Sequence, residues 1–384
     1  MRFWGLCVIL CLEAFHSASA KQPRQLREDH CGFVGSVGCK SSSCHGGAGP
    51  KRDQFITWTR QDFHARAFAV LINARSARIA ETLGASAAPE SARCTVCHSP
   101  FQSVPASHRV SGAHADEGVS CESCHGSAES WLRGHTRPDW NYRTRIAAGM
   151  RDLRNLYVRA NACVACHQNL ETDILKAGHP ALTFELDSQS VAQPKHWRDE
   201  EPWAGPRAWL TGQAVALREI SWALASEPQP DEFVVAQWNG AAWICAKSAA
   251  ALSALPFVNT PAATASASDF SQSQSEADVL ARRAVDVSWS ASSVQGLLTA
   301  LASTDGDFAD RATPSAAHAQ RAKRLVLALD RITLALGESS GVPPKFKAEI
   351  DLLFQDVRTL DGFDPGRFAD HLQGLRLALT QGGR

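Results

Sequence analysis

Several things are scarce in this chain, and each shortage removes a class of function. Its 39 Lys and Arg balance 39 Asp and Glu over 384 residues, leaving no net charge. Without a basic patch there is nothing to hold a phosphate backbone, so no nucleic-acid partner is expected. Beyond the first twenty residues no apolar run is long enough to cross a bilayer as a helix. No Gly-rich nucleotide loop and no nucleophile–base constellation stand out. Methionine is as rare as any residue, with Met1 and Met150 the only two.

Cysteine is plentiful, and histidine follows it. Four times a cysteine pair is followed at once by histidine: Cys39–Cys44–His45, Cys94–Cys97–His98, Cys121–Cys124–His125 and Cys163–Cys166–His167. Three are strict C-x-x-C-H, the attachment signature of c-type haem, and the first is a stretched C-x4-C-H. Two thiols add across the vinyl groups on one macrocycle edge, and the adjacent imidazole swings under the iron. Zinc also favours Cys and His at short spacing, but its histidines usually lie several residues from the cysteine pair. Disulfides would explain the thiols and not the histidine after every pair. Four covalent haem c groups are therefore expected. In the first motif Lys40 to Ser43 must bulge outward. Cys31 and Cys245 are left over once Cys7 and Cys11 leave with a leader, as one disulfide or two free thiols.

The N-terminus reads as an export signal. Arg2 supplies a positive start, Phe3 to Leu12 an apolar core, and Ala18-Ser19-Ala20 a cleavage site. Cleavage near Ala20 would leave a periplasmic or otherwise exported protein, with no transmembrane segment. Export fits a haem that bacteria attach outside the cytoplasmic membrane.

Three segments follow from the composition: a signal peptide over 1–20, a tetrahaem domain over 21–200 and an α-helical domain over 201–384. The fold class is mainly α, with short helices and loops packed around haems and then a helical bundle. One helix is expected from about Asp53 to Leu83, stopped at Gly84. Trp209–Ala225, Ala277–Ala302, Ala316–Leu336, Pro344–Thr359 and Pro365–Thr380 read as amphipathic helices. The polar stretch Thr260–Glu276 reads as a flexible linker.

Each iron has a second axial face, filled by Met, by His or left open. With Met150 the single methionine outside a leader, the set should be mainly bis-His. His64, His135 and His179 are the leading distal candidates. His114 or His108 could cap the Cys94/Cys97 haem, and His196 and His30 are weaker choices. Three good candidates for four irons also allow one five-coordinate iron.

Gly118 to Gly126, reading Gly-Val-Ser-Cys-Glu-Ser-Cys-His-Gly, resembles the tetrahaem cytochrome c-554 type and its wider set of exported relatives. Trp58 with His64-Ala65-x-Ala67, Trp131 to His135, and Gly178-His179-Pro180 followed by Phe184-Glu185-Leu186 are similar to that set's distal-ligand segments. The resemblance covers about residues 31–200. It implies a helical, loop-rich domain with closely stacked haem pairs that pass electrons, and distal roles for His64, His135 and His179. The c-554 type proper takes electrons from hydroxylamine oxidation, and its second haem, by position that of Cys94, Cys97 and His98, lacks a distal ligand. Longer relatives carry a further haem motif downstream. Here Trp243-Ile244-Cys245-Ala246-Lys247 reads as its lost remnant.

An electron relay between unidentified redox partner proteins is the leading expectation. The rival is an oxidoreductase acting on a small nitrogen or sulfur species at an open haem on His98. A third reading has the C-terminal helices docking the haem domain onto a larger respiratory complex. Arg133, Arg137, Arg143 and Arg145 would tune potential or docking.

Overall fold

The computed structural model describes residues 32–110, 112–197, 202–256, 258–259, 265–341 and 346–381. The proposed signal sequence, His30 and Cys31 lie outside them. No strand forms among the described residues, where one isolated bridge joins Phe33 to Arg109.

The first half is built from short helices: α1 (Gln54–Gln61), α2 (Ala67–Val70), α3 (Ala74–Thr82), α4 (Ala92–His98), α5 (Cys121–His125), α6 (Tyr142–Ala147), α7 (Leu156–His167), α8 (Thr172–Lys176) and α9 (Leu186–Ala192). The single helix expected over 53–83 is broken twice. Asp62 turns extended, and its carboxylate accepts from the His64 backbone N–H. Asn73 does the same for Ser76, starting α3. Each side chain gives the backbone a partner other than the helix ladder. The stop at Gly84 stands, with φ at 60°.

The second half is a bundle of long helices: α10 (Ala204–Ala225), α11 (Glu232–Ala251), α12 (Ala267–Asp286), α13 (Ala291–Ala302), α14 (Ser315–Ser340), α15 (Lys347–Asp356) and α16 (Pro365–Gln381). Asp364 caps α16, accepting from the Gly366 and Arg367 N–H groups. Two expectations need correction. Most of the described part of the Thr260–Glu276 linker is helix: Ser266 and Asp269 form a reciprocal capping box, and Phe270 and Ala277 are buried. Residues 260–264 lie outside the description. The run 277–302 is two helices, because a second capping box at Ser290 restarts the chain.

Helix α11 went unread. Apolar almost all round, it lacks the one-sided pattern that marks a surface helix. Trp243, Ile244 and Cys245 are fully buried inside it.

The core is unevenly shared. One apolar cluster runs from Ala160 in α7 through Phe184 and Leu186 to Leu379 in α16. Helices α7 and α9 thus belong to the bundle's core, and residue 200 does not separate two cores. Gly212 in α10 makes that contact close: a Cβ there would sit 2.7 Å from the Leu186 Cβ. Among the described residues before 156 there are two small clusters, Phe33/Phe101/Val104 and Leu71/Ala80/Ala88.

Candidate functional site: four histidine pairs

Three cysteine motifs close short helices. Helix α4 ends on His98, α5 on His125 and α7 on His167. Residues three and four apart share a helix face, so both thiols and the imidazole project together. The first motif instead turns through Lys40–Ser43, where the Cys44 N–H donates to the Ser41 carbonyl and the His45 N–H to the Cys39 carbonyl. The turn closes on Gly46, where a Cβ would sit 1.8 Å from the Lys40 carbonyl oxygen. Glu122, inside the third motif, is buried and accepts from the N–H groups of Val34, Gly35 and Ala128. Burial pushes its carboxyl up to about 7 against those bonds. Arg151 donates to the Ser123 and Cys124 carbonyls at 2.7 and 2.8 Å, satisfying the end of α5.

Each motif histidine faces one other imidazole. His45 lies 6.1 Å from His135 between ring centres, His64 6.1 Å from His167, His98 6.3 Å from His179 and His125 6.4 Å from His196. The planes are near parallel in the first pair, at 17°, and steeply crossed in the others, at 84°, 68° and 65°.

Hydrogen bonds occupy the outer nitrogen of most rings. Nδ1 of His45 meets Gln54 Oε1 at 2.9 Å, and Nδ1 of His64 meets Asp62 Oδ1 at 2.9 Å. The carbonyls of Ala67, Leu132 and Pro180 lie 3.2, 2.6 and 2.9 Å from Nδ1 of His98, His135 and His179. The Gln189 amide lies 3.4 Å from His167 Nδ1, and its own Oε1 is buried without a partner. Turning that amide over supplies the acceptor. An Nδ1–H held this way leaves Nε2 as the bare donor atom. Burial lowers His125 and His167 to about 4, so both rings are neutral at pH 7. Burial alone would raise the Asp62 carboxyl, but hydrogen bonds from His64 and Gln193 outweigh it and hold it at about 2.

His114 and His108 are exposed and face no histidine ring among the described residues. The ring opposite His98 is His179, 81 residues downstream, where His114, His108 or an open face was expected. His196, ranked low from sequence, faces His125 and packs edge-on against Trp197. Nothing in its local pattern marked it. Counting could have: four motifs need four partners, and His196 is the remaining histidine after the fourth motif in the first 200 residues. Of the arginines expected to tune the site, Arg137 pairs with exposed Asp139, and Arg145 donates to the Trp140 carbonyl at 3.4 Å.

The thiols also lie near one another: Cys39 and Cys121, and Cys97 and Cys166, are close enough to perturb each other's ionisation. Cys124 is close enough to Cys163 and Cys166 to hinder their ionisation. Cys245 stands apart in α11, and burial pushes its thiol up to about 12. Paired thiols, imidazoles facing across a gap and a thin apolar core all fit haem c. Covalently bound, it supplies one-electron redox chemistry. No described helix is long and apolar enough to cross a membrane.

Neither a curated protein nor a solved structure matches the chain. Residues 38–126, less than a quarter of it, match the family described as cytochrome c554 and c-prime. That segment carries the first three motifs and is similar to the cytochrome c554 and c-prime family, which supports a c-type cytochrome with covalent haem c that works in electron transfer with redox partner proteins.

Proposed function

We propose that this is an exported, periplasmic relay that passes electrons through four haems, every one ligated by two histidines. His45, His98, His125 and His167 serve as proximal ligands, and His135, His179, His196 and His64 as their distal partners. The spacing of the four ring pairs carries the reading. A ligating imidazole nitrogen sits about 2 Å from its metal and the ring centre roughly 1 Å further, so two rings on one metal have centres about 6 Å apart. All four observed separations, 6.1 to 6.4 Å, agree with that span.

The protein's own residues then do three things. The cysteines tether, the imidazoles saturate the axial positions, and the Nδ1 partners fix each ring's rotation. Bis-histidine ligation favours low potential and leaves no position for a substrate. An enzyme acting at an open iron on His98 has no observation in its favour, because His179 faces that ring. Thiols of the first and third motifs, of the third and fourth, and of the fourth and second lie near enough to perturb one another's ionisation. Electrons would therefore enter and leave near the first and second motifs.

Mass spectrometry and EPR of the air-oxidised holoprotein test this together. Four haem masses, low-spin iron throughout and no response to nitric oxide are expected. A high-spin signal that nitric oxide abolishes would overturn the fully ligated relay.

A further inference from the structure

The bundle reaches the His64/His167 pair through two elements: α7, which carries His167 and packs on α10 and α12, and the short α9. Resting on the axial-pair reading above, we infer that the C-terminal bundle sets the ligand geometry of the fourth-motif haem, with Asp187 and Arg331 as positioning residues.

On its bundle side α9 is locked. Leu186 is fully buried against α10 at Gly212. Asp187 Oδ2 accepts from Arg331 Nε at 2.6 Å, and the two side chains are only 8% and 13% exposed. Glu185 caps the helix, accepting from the Asp187 and Ser188 N–H groups.

On its other side the same stretch reaches both imidazoles of one pair. Gln189 meets His167 Nδ1. Gln193 Nε2 donates to Asp62 Oδ2 at 2.9 Å, and the other oxygen of that buried carboxylate holds His64 Nδ1 at 2.9 Å. The two rings cross at 84°. A partner on Nδ1 fixes a ligating imidazole's rotation and raises its basicity, and both tune the metal. Moving α9 would loosen both partners together, while the Nδ1 partners of the His45/His135 and His98/His179 pairs lie on other segments. The bundle is then part of the redox site, which a docking appendage would not be.

The test uses the full-length holoprotein. Removing one member of a buried ion pair strands the other charge, so Asp187→Asn is combined with Arg331→Met. Gln193→Leu removes the same contact locally. His64→Ala identifies the haem, since its low-spin signal should turn high-spin. Leu353→Ala, in α15, which packs on α14 and α16, controls for general loosening of the bundle.

The double variant is expected to keep four haems and to shift one reduction midpoint and one low-spin EPR signal. Both should belong to the haem that His64→Ala identifies and that Gln193→Leu also shifts. Leu353→Ala should lower the melting temperature and leave all four midpoints in place. The inference is overturned if the double variant leaves every midpoint and signal unchanged, moves all four together, or moves a different haem. If His64→Ala leaves every iron low-spin, the axial-pair reading itself has failed, which is a separate outcome.

Discussion

The two halves of this molecule solve the same problem with different material. From α10 onward, long helices bury one another's apolar faces in a continuous cluster. Before residue 156 the helices are short, two clusters of three residues hold the apolar core, and Phe63 and Ile72 are 78% and 68% exposed. A chain of that length with so little buried apolar surface cannot offset the entropy of ordering itself. On the proposed reading covalent haem would supply the missing apolar bulk, and the paired imidazoles cross-links. Cofactor attachment and folding would then be one event in the first half and independent in the second.

The largest effect should come from blocking attachment. Expressed without haem ligation, the chain should leave residues 32–155 open to rapid proteolysis, while a helical fragment spanning the bundle survives and melts cooperatively. An undigested first half would break the comparison.

Next in size is damage to the bundle's own core. Leu217 is fully buried in α10, and Leu217→Ala should cost about 2–5 kcal/mol, read by denaturant unfolding followed in the far-ultraviolet. The haem absorption spectrum should stay as it was through the first part of that loss. Simultaneous loss of the spectrum would mean that the halves unfold as one.

Ligand variants sharpen the contrast further. His196→Ala should convert one haem in four to high-spin, whereas His114→Ala should leave all four low-spin, as EPR would report. The reverse result would restore the sequence-based choice of His114.

That choice shows what the sequence could carry. The four Cys–Cys–His motifs were legible because each is local: two thiols and an imidazole within seven residues or fewer. His64, His135 and His179 stood out through motif resemblance. Their pairings were not legible, because His98 meets His179 and His125 meets His196 only after the chain has folded. The long helices of the bundle showed through their apolar period. Helix α11 did not, since a helix buried on all sides has no polar face to alternate with. The supposed linker failed for a related reason: its Ser and Gln residues look disordered by composition, yet Phe270, Ser273 and Ala277 form one buried stripe. The Ser266 capping box was present in the sequence and outweighed the composition.

The smallest effect concerns the seam between the halves. Tyr157, on helix α7 with the fourth motif, donates to Asp278 of α12 at 2.6 Å, and Arg218 and Arg282 both converge on that pair. Burial alone would raise the Asp278 carboxyl from its ordinary 3.8, but bonds from Tyr157, Arg282 and Arg218 outweigh it and hold it at about 2. A carboxylate depressed by folding contributes stability that is fully present above its unfolded value and is lost as pH falls through its folded one. The seam should therefore hold at neutral pH and loosen between pH 3.8 and about 2. Asp278→Asn should remove that step from an acid titration followed by protease cleavage between α7 and α12, and should leave neutral-pH haem spectra unchanged. An undiminished acid step in the variant would assign the loosening to other carboxylates and leave Tyr157 as a packing residue alone.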